Sequence, residues 1–299
     1  MVEFDNHDIV KPALDKVIAA ILTQLQHDAV KVIWLSVDFR MLIAATGLKH
    51  TDAQKAAGFI LESVISSLDV EQTLIVPTFY FGFPQSKVFD RRNSPVQTGV
   101  FGGLLLEKYA ANRIVQPFYS FLVFGKQAEP LLNQRFLHST GPNSIFEWVV
   151  EQNTRVIAVG HHYVKSLTSI HHAEQMAAVS YRYEKFFAGV LLQDGQQEPL
   201  QCGFYVRELG VCDFSSLTLR GDNKLRDEGM VASCLIMGMR RPLLLHIVDH
   251  YPVHKLLVAD LNRPEPQFVD YYGPQRANVD VINSVVADKL YQAELNSLA

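Results

Sequence analysis

The sequence predicts an α/β fold with a central sheet covered by helices, and three observations predict it. Short apolar runs, Val32–Leu35, Thr73–Val76 and Arg155–Val159, alternate with segments whose apolar residues recur at helical spacing. Runs that are apolar throughout, rather than at every second residue, suit strands buried on both faces. No Pro-, Gly- or Ser-rich linker divides the 299 residues, and 48% of them are hydrophobic, enough for one large core. The expected organisation is a single domain over residues 1–299.

The first helix is expected over Pro12–His27. Leu14, Val17, Ile18, Ile21, Leu22 and Leu25 share one face there, and Pro12 suits a first turn, where its missing N–H costs nothing. Val32–Leu35 follows as a strand. Thr51 is the expected cap of a helix running to Leu68 on Ala57, Phe59, Ile60, Val64 and Ile65. Strand Thr73–Val76 is stopped by Pro77, which has no donor for a ladder. A loop rich in aromatic residues, glycine and proline fills Phe79–Pro95, and a helix starts near Thr98. Arg155–Val159 is a strand ended by Gly160, and Ser166–Ala177 is a helix. The last third, residues 190–299, is richer in strands. These are Gly203–Glu208, Pro242–Val248 and Lys255–Val258, with a turn at His250-Tyr251-Pro252 and a closing helix from Val279.

Composition excludes several classes of function. Against 31 acids stand 27 lysines and arginines, a net charge of −4, so no nucleic-acid partner is expected; one phosphorylated cofactor remains compatible. Cys202, Cys212 and Cys234 have no CxxC spacing, which suggests neither a disulfide framework nor a thiolate zinc site. The chain starts with no basic segment leading into an apolar one, and no run reaches the ~18 apolar residues of a membrane span. A cytoplasmic protein without a membrane partner is expected. Gly99, Gly102 and Gly103 lie in a helical pattern and lack the order of a dinucleotide-binding turn, and there is no GxSxG elbow.

The eleven histidines are more informative. They cluster as His161-His162, as His171-His172, and as His246, His250 and His254 around Asp249. The last group would suit a metal-dependent hydrolase, but Pro252 interrupts it and splits the ligands across a turn. The second group follows a buried strand and a short loop, where α/β folds open their active crevices. On a helix, Thr168, His171 and Glu174 recur at every third position, so each neighbouring pair shares a face. An imidazole steadied by a carboxylate is what a general base near neutral pH requires.

Five strings, in order, then resemble one family. Pro77-Thr78-Phe79, Phe89-Asp90, Ser94-Pro95 and Thr98-Gly99 are similar to the PTF…FD…SP…TG stretch of the aminoglycoside 3-N-acetyltransferases. Arg113, Pro117 and Ser120 with Gly125, then Gly141-Pro142-x-Ser144, then Val156–Gly160, and finally Thr168-x-x-His171-x-Ala173-Glu174 before Tyr181-Arg182 continue the resemblance. It is strongest over residues 70–185 and faint beyond 190. It implies the family's own α/β fold, a mixed central sheet covered by helices, distinct from the GNAT fold. It further implies transfer of an acetyl or other acyl group from acetyl-CoA or another acyl-CoA to an amine of an amino sugar, as in antibiotic resistance, with no metal. The implied general base is His171, with Glu174 as its acidic partner and Thr168 close by; a backbone N–H or the Thr168 hydroxyl is the candidate donor to the developing oxyanion. Direct transfer, without an acyl-enzyme, is expected.

For CoA phosphates the candidates are Ser36 after the first strand, Ser94, Thr98 and Ser144 at helix starts, and the cation Arg113. Phe79, Tyr80 and Asp90 are the candidates for an acceptor pocket with an aromatic edge. Departures from the family pattern make the cleft more apolar: Leu35-Ser36-Val37 replaces HSS, Gln116 and Tyr119 replace two histidines, and Leu167 replaces an asparagine. An amino sugar of surface-polysaccharide biosynthesis therefore stands beside an antibiotic as acceptor, and a homodimer is left open. Two rivals of other classes remain: a metal-dependent hydrolase on His246, Asp249, His250 and His254, and a non-catalytic binding protein.

Overall fold

The structure is a computed structural model that describes residues 4, 7–26, 29–277 and 279–299. The chain runs through α1 (His7–Thr23), β1 (Val32–Val37), α2 (Phe39–Thr46), α3 (Ala53–Ser66), β2 (Thr73–Pro77), the short α4 (Phe83–Ser86) and β3 (Val88–Asp90). Next come α5 (Val100–Tyr109), β4 (Phe121–Gly125), α6 (Ala128–Asn133), α7 (Ile145–Glu151), β5 (Thr154–Val159) and α8 (Ile170–Met176). A long hairpin, β6 (Arg182–Gln193) and β7 (Gln196–Arg207), opens the last third. It continues with β8 (Phe214–Leu217), α9 (Leu219–Asp227), β9 (Val231–Ile236), β10 (Leu243–Asp249), α10 (His250–Leu261), β11 (Val269–Tyr272) and α11 (Ser284–Leu298).

The central sheet is mixed, in the order β4-β2-β1-β5-β10-β9. β1 pairs parallel to both β2 and β5, while β4, β10 and β9 join antiparallel. Both faces are buried, which is why these strands read as unbroken apolar runs. Val32 and Trp34 of β1 enter one core cluster with the cleft aromatics, and Ile33 and Leu35 enter the other with α1, α2, α3 and α5. α5 lies tightly against the end of β2, where a Cβ on Gly102 would sit 2.1 Å from the Pro77 carbonyl oxygen. No helix among the described residues is long and apolar enough to cross a membrane.

Several boundaries differ from the sequence expectation. α1 begins at His7, because Val10 adds a turn to its buried face, so Pro12 falls inside it; the expected end, His27, lies outside the described residues. Thr51 sits in a 3-10 turn, His50–Asp52, ahead of α3 and makes no capping bond. Lys255–Val258 is not a strand but part of α10: Pro252 occupies the first turn, where proline is tolerated, and His250, Val253, His254, Leu257 and Leu261 are buried at helical spacing. The closing helix starts at Ser284 rather than Val279, because Asn283 caps it through the N–H groups of Val285 and Val286.

Candidate active site

The carboxyl ends of the parallel strands β1, β2 and β5 open together, as ligand crevices in α/β sheets do. A cavity of about 670 Å³ lies there, lined by Ser36, Val37, Pro77, His161 and His171 among others. Trp34, Phe79, Phe81 and Tyr119 give it an aromatic wall. The Phe79 and Tyr119 rings are 5.0 Å apart edge to face, and Phe81 lies 5.7 Å from Tyr119. Asp38, Arg40 and Lys165 are its charged lining residues. Asp38 is already engaged, since it caps α2 through the N–H groups of Arg40 and Met41 and pairs with Arg40 at 3.2 Å. Lys165 is held at 2.5 Å by Asp288 of α11.

His171 stands at the start of α8 with its side chain 20% exposed, and its Nδ1 lies 2.7 Å from Oε2 of the wholly buried Glu174. The carboxylate acceptor fixes the proton on Nδ1, so Nε2 is the ring nitrogen left with a lone pair. Glu174 is itself held. Tyr181 donates its hydroxyl to Oε1 at 2.9 Å, and Arg182 Nε is 2.8 Å from Oε2. Burial pushes the Glu174 carboxyl up, but the His171 ring (cationic at the low pH where this carboxyl titrates), the Arg182 charge and the hydrogen bond from His171 outweigh it and hold it at about 2. Burial, reinforced by Arg182, lowers His171 below its ordinary 6.5, although Glu174 pulls the other way. The ring is therefore neutral at physiological pH, the state in which it accepts a proton.

Of the residues singled out in the sequence, Ser36, Phe79, Thr98, Thr168 and His171 line this cavity, with Glu174 behind His171. Thr168 is not on the helix with His171, because the 3-10 turn Tyr163–Ser166 and a further turn precede α8; it reaches the cavity from that turn. Thr98 precedes the N-terminus of α5, whose Gly99 cap offers no side chain, and its Oγ1 is buried without a partner. Ser36 lines the cavity, but the adjacent helix start is taken by the Asp38 carboxylate, which leaves no room for an anion.

The other candidates are occupied elsewhere. The Arg113 guanidinium is fully buried and donates to Ser94 O and Thr78 O at 2.6 Å each and to Ser120 Oγ at 2.9 Å, so it braces the loop rather than facing a phosphate. Ser94 Oγ accepts from Asp90 N, and the Asp90 carboxylate accepts from the backbone of Arg92 and Asn93: both build a turn. Ser144 is buried as the cap of α7, bonded to Glu147 N and Gly141 O. Tyr80 does not line the cavity and donates to Ser86 Oγ.

The proposed metal ligands are not gathered. Asp249 pairs with Arg155, His250 meets Ser169, and His254 packs on the His172 ring at 4.9 Å. Among the described residues, the ligand atoms of His162, His246 and Glu294 do lie within 4.8 Å of one another. There, however, Arg226 donates to Glu294 at 3.1 and 3.0 Å and lies 3.2 Å from His162 Nε2, so a guanidinium already supplies the positive charge.

Sequence reasoning placed Tyr119 at the cleft as a departure from the family pattern, but gave no site role to Trp34, Asp38, Arg40, Phe81, Lys165, or the pair His161 and Ser166. His161 Nε2 lies 2.7 Å from Ser166 Oγ, and Nδ1 lies 3.1 Å from Val159 O. Burial takes His161 down to about 4, although the Asp38 charge pulls upward. Only the adjacency of His161 to a strand end signalled it.

Residues 53–218 match the family model described as aminoglycoside 3-N-acetyltransferase. No curated protein sequence is similar enough to count as a match. Among solved structures, the fold is similar to aminoglycoside acetyltransferase AAC(3)-IIb (TM-score 0.64, 15% identity, 85% of this chain and 97% of that one). It is also similar to the apoenzyme of aminoglycoside acetyltransferase AAC(3)-IVa (TM-score 0.62, 19% identity, 93% and 96% covered) and to YokD protein from Bacillus subtilis (TM-score 0.59, 13% identity, 83% and 98% covered).

Proposed function

The chain belongs to the aminoglycoside 3-N-acetyltransferase family, and from that premise we propose that it moves an acyl group from acyl-CoA to an amine of an amino sugar, by direct transfer with His171 as general base. The observation that carries this reading is the His171 ring at the cavity, its Nδ1 taken by Glu174 and its Nε2 left to accept. The amine attacks the thioester carbon as Nε2 removes an N–H proton. The C–N bond forms, the C–S bond breaks, and the departing thiolate takes the proton from the imidazolium. Glu174 keeps the ring oriented and stabilises its transient cation. Thr168, which lines the cavity beside His171, is the donor to the developing oxyanion in this reading. Thr98 Oγ1 and the open N-terminus of α5 fit a CoA phosphate, as donors without partners at a helix start do.

The lining also bears on the acceptor. Similar structures hold sisomicin and apramycin, which are aminoglycosides and therefore polycations. Among the described residues, the one carboxylate lining the cavity, Asp38, is consumed by α2 and Arg40, and Lys165 is paired with Asp288, so the lining offers no free carboxylate to a polycation. That balance supports an amino sugar carrying few positive charges, such as one on a nucleotide carrier in surface-polysaccharide biosynthesis. The test is a matrix of acetyl-CoA and longer acyl-CoAs against aminoglycosides and nucleotide-linked amino sugars, read by thiol release. Release that depends on an amine supports the reading, and release no faster than with water alone, for every pair, overturns it.

A further inference from the structure

We propose that Ser166 is the group that receives an N–H of the acceptor amine, its hydroxyl turned by His161 so that only lone pairs face the cleft. The inference rests on the acyl-transfer reading above and adds a residue that selects and aligns the amine.

The orientation follows from the acceptors around His161. Val159 O, which already accepts Asp38 N–H at 2.9 Å, is an acceptor only, so His161 Nδ1 at 3.1 Å must carry the proton. A neutral imidazole with its proton on Nδ1 has a bare lone pair on Nε2. Ser166 Oγ, 2.7 Å from Nε2, must then donate its single proton there. Burial keeps His161 neutral, with its pKa at about 4, so this arrangement holds across the physiological range. What remains on Oγ is lone pairs. Ser166 is itself 4% exposed and lines the cavity together with Thr168 and His171.

An oxygen so polarised attracts an N–H and repels another acceptor, such as the thioester carbonyl. The stereochemistry of a primary amine completes the argument. Its nitrogen has one carbon, two hydrogens and one lone pair. One hydrogen bonds to Ser166 Oγ and the other to His171 Nε2, so the lone pair is the direction left for the thioester carbon. One oriented acceptor thus fixes the approach that a lone general base leaves free to rotate.

The test compares wild type with Ser166→Ala and Ser166→Thr, using the best amine found in the thiol-release matrix. Ser166→Ala is expected to lower kcat/KM for the amine by about 10- to 100-fold, the worth of one hydrogen bond to a charged or polarised donor. CoA affinity by calorimetry is expected to stay within about twofold, and Ser166→Thr, which keeps the hydroxyl, to recover most of the loss. Nitrogen-15 NMR of histidine-labelled wild type is expected to show His161 bare at Nε2. A protonated Nε2 at His161 overturns the inference whatever the activity, because Ser166 would then be free to donate. So does unchanged kcat/KM in Ser166→Ala, with wild-type transfer intact and the functional reading untouched. Absence of transfer to any amine by wild type removes the functional reading and this inference with it.

Discussion

Lowering the pH from 8 to 5 is expected to strip this protein of much of its stability, because it buries a set of neutral histidines. Burial takes His161 and His172 to about 4 and His162, His250 and His254 to about 3, against an ordinary 6.5. Their neighbours add to this: the His246 and Arg226 charges bear on His162, and His172 and His254 bear on His250. A folded pKa below the unfolded one means that the unfolded chain binds the extra proton. Stability is then full above 6.5 and is lost as the pH falls from there towards 4 and 3. At pH 5 each such ring costs the fold about 2 kcal/mol. The five rings together cost about 10 kcal/mol, comparable with the whole stability of a typical domain at 5–15 kcal/mol. Glu174 and Glu294, both held at about 2, act in a different window, since their contribution is kept down to about pH 4.5 and lost only below it. The loss between pH 6.5 and 5 is therefore the signature of the histidines. Urea unfolding followed by the fluorescence of Trp34 and Trp148 measures it, with the slope against urea expected to stay constant. Equal unfolding free energies at pH 7.5 and pH 5 would refute the reasoning.

Glu174→Gln removes the charge that raises His171 and leaves the buried Arg182 unpaired. The rising limb of the pH–rate profile is expected to move to lower pH, the plateau to fall by about 10²-fold, and stability to drop by about 3–5 kcal/mol; a profile identical to wild type would show that the pair has no part in the reaction. Arg113→Met removes a charged donor from each of three buried acceptors, of which Thr78 O and Ser120 Oγ keep a second donor, and is expected to cost about 3 kcal/mol in urea unfolding. If it weakened CoA binding at unchanged stability, Arg113 would be a phosphate ligand after all. Gly102→Ala forces α5 away from the Pro77 carbonyl and is expected to cost about 1–3 kcal/mol and to weaken CoA binding through Thr98; full stability would mean that the helix slides freely.

The central strands were legible because a strand buried on both faces has no polar side to confuse its period, as Val32–Leu35 and Arg155–Val159 show. The hairpin β6–β7 was half legible, since its residues alternate unevenly between buried and exposed. α10 was misread because proline breaks a helix interior but not a first turn, and sequence alone does not say where the turn begins. In the site, His171 and Glu174 could be paired from their spacing. Arg113, Ser94, Asp90 and Ser144 could not be told from ligand contacts, because buried braces, turns and caps use the same residue types as phosphate sites. The His161–Ser166 bond was invisible, since it joins a strand end to a 3-10 turn with no period to link them.

Catalysis by an imidazole that takes a proton from the acceptor nitrogen is tested most directly by amine-dependent thiol release from acetyl-CoA, measured for wild type and His171→Ala side by side with CoA binding by calorimetry. Loss of about 10²- to 10⁴-fold in rate at unchanged CoA affinity is the predicted result. A His171→Ala enzyme turning over within a few-fold of wild type would contradict it.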